Sequence, residues 1–262
     1  MKRYGFVRPL GASAFALAKT ILRPLRSAYQ QSRLQVGTDV SIGHDVIVLG
    51  KGEVLVGDDA VIGRGVVFRT GLGSIIEVGV GAHIGANSVL EVRKGQVMQF
   101  GAHAKIGTRC DIISENGLFW GEHSSLGGHS FIGPREAGAR GALVIGKECH
   151  LHQQSFVDLC ANVTFGDNVR TGPSCAFYTH NHVPKFGRLV WDQDPLFQPI
   201  TVESGTWIGH GCSVMPGVML GHNSTIAAGA VVVKSVAPWT VVGGVPAGLV
   251  KVLGDRALAT FK

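Results

Sequence analysis

The chain is organised by a repeat in which apolar residues, most of them followed by glycine, recur six positions apart. The leading residues of the repeats are Val36, Val56, Val78, Phe100, Trp120, Ile145, Phe165, Val202 and Leu220. Successive members are separated by 20, 22, 22, 20, 25, 20, 37 and 18 residues. Self-similarity at such a period is typical of solenoids, in which each repeat buries its apolar side chains only against its neighbours.

A triangular coil of 18 residues accounts for this pattern, because three hexads then place one inward aliphatic side chain on each side of the triangle. Extra residues bulge at the corners. Glycine contributes 38 of the 262 residues, about twice its usual share, which suits many tight turns. A doubly wound α/β protein would need amphipathic helices between its strands, and residues 36–233 contain no window of helical period. The sequence therefore predicts an all-β parallel β-helix.

Positive charge is concentrated at the N-terminus, where seven basic and no acidic residues precede Asp39. Apolar residues at helical spacing within residues 1–33 predict a basic amphipathic helical arm. This arm either caps the open end of the coils or lies on an anionic membrane surface, and both alternatives stay open. The remainder is nearly neutral, so no nucleic-acid partner is expected.

The cysteine pattern and the hydropathy indicate the cellular compartment. Five cysteines form no CxxC pair, and no apolar run reaches the roughly 18 residues of a membrane span. These features are compatible with a reducing cytoplasm. We therefore expect a cytoplasmic protein, peripheral to the inner face of the membrane if the arm is an anchor.

The C-terminal coils resemble a known family. Residues 202–251, VESGTWIGHGCSVMPGVMLGHNSTIAAGAVVVKSVAPWTVVGGVPAGLVK, resemble the C-terminal signature of hexapeptide-repeat acyltransferases, most closely the maltose/galactoside O-acetyltransferase branch. The specific resemblance covers roughly residues 145–251, and residues 36–144 share only the generic repeat. It implies a left-handed parallel β-helix, a homotrimer and acetyl-CoA as acyl donor. Residues 34–262 would form this acyltransferase domain, with a C-terminal tail at 245–262.

The reacting groups are expected in the aromatic-flanked segment FYTHNHVP. The family motif Thr-x-x-His matches Thr179 and His182, so the resemblance implies that His182 is the general base that takes the proton of the acceptor hydroxyl. Imidazole suits this role near neutral pH. Asp158 resembles a family acid and could orient a catalytic histidine, while His152 lies near the position of a family asparagine that helps position the reacting groups. His180, which the motif does not require, is expected to contact the acceptor.

Two insertions interrupt the repeat. The interval of 37 residues contains one coil and an excursion, residues 183–201, that leaves the stack directly after the motif. Long loops in compact repeat proteins tend to be functional, and Arg188 and Trp191 are expected to bind the acceptor, the tryptophan by stacking on a sugar ring. The interval of 25 residues holds the glycine-rich loop 133–141. Its Arg135 and Arg140 either contact an acidic acceptor or belong to a solvated corner.

The resemblance also implies the residues that contact acetyl-CoA. A coil opened by Trp207 would flank the pantetheine arm, and small residues at 227–229 would let the backbone approach a thin ligand. Lys234 is suited to the nucleotide phosphates. The implied contact residues are Trp207, His210, Ala228, Val233, Lys234 and Lys251.

No metal site is predicted. Gamma-class carbonic anhydrases, a related β-helix family, bind zinc through three histidines, but here His103 and His123 share a register that His83 does not. The sequence therefore predicts an acetyl-CoA-dependent O-acetyltransferase that acts by direct transfer on a hydroxyl of a sugar, an oligosaccharide or a surface polysaccharide precursor. The alternatives are an N-acyltransferase acting on an amino-sugar nucleotide, a zinc hydrase of the carbonic anhydrase type, and a scaffold without catalysis.

Overall fold

The computed structural model describes residues 33–187 and 189–254, and these form a parallel β-helix. Each coil contributes one strand to each of three long sheets, which we name the first, second and third faces in the order in which a coil enters them. Strands of successive coils pair in parallel within each face, and the last second-face strand, Gly248–Val252, pairs antiparallel with Thr240–Gly243. The predicted all-β architecture is confirmed. Most of the predicted arm and residues 255–262 lie outside the described residues, so the role of the arm stays a prediction.

The three faces and the excursion account for the strands. The first face comprises Leu34–Val36, Glu53–Val56, Ile75–Val78, Val97–Phe100, Leu118–Trp120, Leu143–Ile145, Val163–Phe165, Ile200–Val202 and Met219–Leu220. The second face comprises Ser41–Ile42, Val61–Ile62, His83–Ile84, Lys105–Ile106, Ser125–Leu126, His150–Leu151, Arg170–Thr171, Trp207–Ile208, Thr225–Ile226, Thr240–Gly243 and Gly248–Val252. The third face comprises Ile47–Gly50, Val67–Thr70, Val89–Val92, Asp111–Ser114, Phe131–Gly133, Phe156–Asp158, Ala176–Phe177, Ser213–Val214 and Val231–Val232. The excursion contains the strands His180–Asn181 and Leu196–Phe197 and a 3-10 turn at Val190–Asp192.

The residues that define the repeat in the sequence form one buried column of the core. Val56 pairs with Val78, which pairs with Phe100, and the column continues through every later member to Leu220. All members from Val56 onward are buried. Val36 is half exposed, because it lies in the first described coil and a described coil covers it on one side alone. Burying each aliphatic side chain stabilises the stack by about 1.5–3 kcal/mol.

The corners use the residue types expected of them. One residue at many corners has a positive φ, and aspartate, asparagine, histidine and glycine dominate this set. At one corner the coils also approach closely, since a Cβ on Gly209 would lie 2.5 Å from the backbone nitrogen of Ala228. The repeat therefore fixes both the core and the spacing of the backbone between coils.

The excursion begins earlier than the sequence predicted. The predicted hexad position Val183 is 41% exposed and not in the core. The chain instead leaves the stack at His180, whose strand pairs antiparallel with Leu196–Phe197, and it rejoins the first face at Ile200–Val202. The physical reason is a side-chain contact: Asp158 binds the amide and the hydroxyl of Thr179 and so ends the hexad pattern there.

The described part of the chain contains no helix of the length and apolar character that a membrane span requires.

Candidate active site

A buried carboxylate organises the corner between the third and first faces. Asp158 ends a third-face strand and is fully buried. Its Oδ2 accepts hydrogen bonds from the amide of Thr179 at 2.9 Å and from the hydroxyl of Thr179 at 3.0 Å, and its Oδ1 accepts one from the amide of Cys160 at 3.2 Å. Thr179 in turn accepts a hydrogen bond from the amide of Ala161 at 3.0 Å. The carboxylate is therefore held in one orientation by neighbouring backbone.

His180 is the histidine that this carboxylate orients. Its Nδ1 lies 2.6 Å from Asp158 Oδ2, a distance typical of a charge-assisted hydrogen bond. With the proton on Nδ1 donated to Asp158, Nε2 carries the lone pair and can accept a proton from a substrate. The side chain of His180 is 17% exposed, so a ligand at the corner can reach it.

The ionisation of Asp158 follows from these contacts. Burial alone would raise the pKa of this carboxyl, but the hydrogen bonds from Cys160, His180 and Thr179 outweigh burial and hold the pKa below its ordinary value. Asp158 is thus a carboxylate at neutral pH, which fixes the tautomer of neutral His180 with its proton on Nδ1.

His182 lies beside His180 and faces a different acid. The two imidazole rings are 5.7 Å apart and nearly perpendicular. His182 Nε2 lies 3.3 Å from Oε1 of Glu136, and His180 Nε2 lies 3.8 Å from the same oxygen. Both histidines and Glu136 are therefore parts of one half-buried cluster, and the acid that the sequence predicted to orient a catalytic histidine contacts His180.

Glu136 comes from the glycine-rich loop 133–141, which lies at the same corner on an earlier coil. The amides of Arg140 and Gly141 donate to the carbonyls of Cys160 and Leu159, so the loop is anchored on the segment that follows Asp158. The approach is close, since a Cβ on Gly141 would lie 2.2 Å from the carbonyl oxygen of Ala161. Sequence reasoning named the arginines of this loop and missed Glu136, because only the fold brings it near residues 46 positions later.

An aromatic column runs beside this cluster on the outer side of the third face. The rings of Phe131 and Phe156 stack at 5.6 Å, and Tyr178 follows at 5.4 Å from Phe156. The guanidinium of Arg135 lies over the first two rings at 5.1 and 5.8 Å from their centroids. Arg135 thus contacts this surface although its residue is exposed, and Arg140 is also exposed at the end of the loop.

The structure separates His152 from the cluster. His152 is exposed at the corner between the second and third faces, and its backbone amide donates to the hydroxyl of Thr171. Its ring makes none of the contacts that join Asp158, His180 and Glu136. Of the predicted acceptor-binding residues, Arg188 lies outside the described residues, and Trp191 lies in the 3-10 turn of the excursion.

The predicted acetyl-CoA residues divide among three places. His210 and Ala228 lie on successive coils at the corner between the second and third faces, which is also the corner of His152, and both are exposed. Trp207 projects from the second face with half its surface exposed, and Lys251 lies on the last strand of that face. Val233 and Lys234 follow the last third-face strand, at the corner of the histidine cluster.

The cysteine nearest the cluster is unsuited to nucleophilic catalysis. Burial and the neighbouring carboxylate of Asp158 raise the pKa of the Cys160 thiol to about 12. At neutral pH the thiolate, which is the reactive form, is therefore nearly absent. The chemistry available at this corner is proton transfer by imidazole.

The histidines that bear on the carbonic anhydrase alternative lie elsewhere. His103 and His123 stack at a centroid distance of 4.9 Å on successive corners, as their shared register predicted. His83 projects from a second-face strand, where it pairs with Val61 and Lys105. Among the described residues these three histidines do not form a group with the geometry of a metal site.

Comparison with known proteins confirms the resemblance seen in the C-terminal coils. Residues 199–234 match the family model of the bacterial transferase hexapeptide (six repeats). The chain is 36% identical to galactoside O-acetyltransferase of Escherichia coli (strain K12) over 94 residues, which are 36% of this chain and 46% of the relative. It is 32% identical to chloramphenicol acetyltransferase of Escherichia coli over 105 residues, 40% of this chain and 49% of that relative. The chain thus spans about half the length of the curated relatives it matches.

A solved structure with the same kind of repeat is also similar. This is a hexapeptide-repeat containing acetyltransferase of Vibrio cholerae O1 biovar eltor in complex with acetyl-coenzyme A, with 23% sequence identity and a TM-score of 0.39. The alignment covers 70% of this chain and 72% of that chain.

Proposed function

We propose that this hexapeptide-repeat protein transfers an acetyl group from acetyl-CoA to a hydroxyl of a carbohydrate. The observation that carries the proposal is the hydrogen bond between the buried Asp158 and His180, which creates an oriented base at an accessible corner. The similarity of this chain to a galactoside O-acetyltransferase, at 36% identity over 94 residues, supports both the reaction and the acceptor class. The coils from residue 34 onward would be the scaffold of this activity, which we place in the cytoplasm.

His180 would act as the general base in the following way. Nε2 accepts the proton of the acceptor hydroxyl while the hydroxyl oxygen forms its bond to the thioester carbonyl carbon. The imidazolium that results is stabilised by Asp158 through Nδ1, and it returns the proton to the sulfur when the C–S bond breaks. Backbone amides along the coil edge would stabilise the oxyanion that forms between these two steps. The transfer is direct and needs no acyl-enzyme.

This assignment differs from the expectation that His182 is the base. The family motif favours His182, whereas the tautomer argument favours His180, because Asp158 leaves its Nε2 available as an acceptor. Nε2 of His182 faces the carboxylate of Glu136, which favours a proton on that nitrogen. In this proposal His182 and Glu136 border the acceptor, and Trp191 and Arg188 of the excursion stay proposed acceptor contacts.

The residues assigned to acetyl-CoA fit a thin, anionic ligand. The corner of His210 and Ala228 carries small side chains and closely spaced backbone, and Lys234 and Lys251 are exposed cations. However, the corner of Ala228 is a different corner from that of His180. We therefore propose that the protein is a homotrimer in which one copy supplies His180 and its neighbour supplies His210, Ala228 and His152.

The first test compares His180→Asn and His182→Asn in an acetyl-CoA assay that follows thiol release over a panel of sugars and oligosaccharides. We expect His180→Asn to lower kcat by about 100-fold or more, the range for removing a general base. His182→Asn should mainly raise KM for the acceptor. His129→Asn is the matched control, because His129 is an exposed corner histidine whose positive φ suits asparagine.

The outcomes separate the assignments. A loss of kcat in His182→Asn with little change in His180→Asn would return the base to the residue that the motif favours. Unchanged kcat in both variants would contradict acyl transfer at this corner. A third outcome is a protein that binds acetyl-CoA and releases no thiol with any of the sugars. If this protein releases thiol when an amino-sugar nucleotide is the acceptor, the N-acyltransferase alternative is established.

A further inference from the structure

Three metal-binding side chains converge at the corner of the histidine cluster. One oxygen of Glu136 lies 3.3 Å from His182 Nε2 and 3.8 Å from His180 Nε2, and all three ligand atoms lie within 4.8 Å of one another. Each residue is partly buried. The three atoms therefore surround a small volume that solvent can still reach.

The spacing of these atoms fits a tetrahedral transition-metal ion. Zinc binds imidazole nitrogen and carboxylate oxygen at about 2.0–2.2 Å, which places two ligand atoms of a tetrahedron about 3.3–3.6 Å apart. The Glu136 to His182 distance already matches this value, and the Glu136 to His180 distance exceeds it by a few tenths of an ångström. Two imidazoles and one carboxylate with an open fourth position are a common ligand set for such ions.

The supporting contacts of His180 provide a second, independent observation. A metal-binding histidine nearly always donates its other ring N–H to a carboxylate or carbonyl, which fixes the ring and raises its basicity. His180 does so through Nδ1 to Asp158 at 2.6 Å, and Asp158 is itself held by the amides of Thr179 and Cys160. Nε2 of His180 is thereby presented to Glu136 in the tautomer that a metal ion requires.

We propose that Glu136, His180 and His182 bind a divalent transition-metal ion of the zinc class. Binding uses the Nε2 lone pairs of both histidines, so any proton on His182 Nε2 passes to solvent. On the basis of the proposed function, the bound ion also inhibits acyl transfer, because it occupies the lone pair with which His180 would accept the hydroxyl proton.

A second possible ligand group is disfavoured by its burial. Asp158, Cys160 and His180 also lie within range of one another. Asp158 and Cys160 are almost completely buried, and both oxygens of Asp158 already accept hydrogen bonds. Asp158 therefore supports His180 and does not compete with Glu136 for the ion.

The test is a zinc titration of the full chain, stripped with EDTA, in competition with a chromophoric chelator and without acetyl-CoA or acceptor. We expect one ion per chain, and a loss of affinity of at least tenfold in Glu136→Gln. The matched control is Asp45→Asn. Asp45 also contacts a histidine, His44, at 2.8 Å, but both side chains of that pair are exposed and lie outside the proposed site. Asp45→Asn should bind zinc as the unmodified chain does, and Co²⁺ should give the visible absorption of a tetrahedral site.

The results distinguish the site from the proposed enzyme activity. Equal zinc affinity in Glu136→Gln and the unmodified chain, or no ion bound by a folded protein, would overturn the site. For each protein we compare the rate of thiol release in EDTA with the rate in zinc. Their ratio should be above one in the unmodified chain, which zinc inhibits, and close to one in Glu136→Gln. Zinc that binds through Glu136 yet leaves the rate of the unmodified chain unchanged would overturn the link to His180. Zinc binding in a protein that acetylates none of the acceptors would support the site and count against the proposed function alone.

Discussion

At the scale of the residue, Asp158 has two roles: it contacts Thr179, where the coil ends, and it orients His180 at the same corner. The same oxygen that ends the hexad pattern at Thr179 also fixes the tautomer of His180. A carboxylate with three donors on one oxygen is costly to replace, since hydrogen bonds to charged groups contribute about 1.5–3 kcal/mol each. In the proposed mechanism Asp158 is thus a positioning residue, and its loss should affect both stability and turnover.

We predict that Asp158→Asn lowers kcat by about 100-fold while the Kd for acetyl-CoA stays the same, because the amide no longer fixes the base. Stability should also respond to pH. The pKa of the folded carboxyl lies below its ordinary value of 3.8, so the stabilisation is fully present above that value and is lost as the pH falls through the folded pKa. Urea unfolding should therefore show a stability gap between the two proteins at pH 7 that narrows below about pH 4. A gap independent of pH, or a weaker Kd with an unchanged kcat, would contradict this role.

The residue scale is also where sequence reasoning was least complete. Composition and motif drew attention to the segment of residues 178–182 and to Asp158 as an acid that could orient a histidine. They could not decide which histidine the acid contacts, because that depends on where the chain leaves the stack. Glu136 carries no local signal at all, since its neighbours in the cluster come from another coil.

At the scale of the element, the periodic pattern predicted the buried column of the first face. Each leading residue from Val56 to Leu220 lies at the paired position of the first face, because a coil can bury an apolar residue only against its equivalent in the next coil. The pattern was wrong at Val183, where a side-chain contact from the preceding coil overrides the hexad. Insertions at corners thus mark the places at which local periodicity loses its predictive power.

The loop 133–141 gives a prediction at this scale. We expect Gly141→Val to destabilise the protein by about 1–3 kcal/mol, because its side chain would overlap the backbone that follows Asp158. Gly248→Val is the control, since a Cβ there has no atom within 4 Å and the strand it begins is exposed. Urea unfolding measures both. Equal stability of Gly141→Val and the unmodified chain would mean that the anchor of the loop is unimportant for the fold.

At the scale of the whole molecule, the coil separates the two halves of the proposed site. His180 lies at the corner between the third and first faces, and Ala228 lies at the corner between the second and third faces. One copy of the chain therefore presents the proposed base at one edge and the proposed donor-binding corner at another. In a closed trimer each interface is heterologous and can join the base edge of one copy to the donor corner of the next.

This geometry predicts complementation between two inactive variants. His180→Asn lacks the base, and Ala228→Trp blocks the donor corner with an exposed side chain that leaves the core untouched. Random co-assembly of equal amounts should restore about one quarter of the sites, because every mixed trimer contains one interface with both intact residues. Thiol release by the co-expressed variants measures the recovery, and separately purified variants mixed without reassembly are the control. Activity no higher than that of the mixed controls, in particles that native mass spectrometry shows to be mixed trimers, would place the base and the donor corner of one site on the same copy.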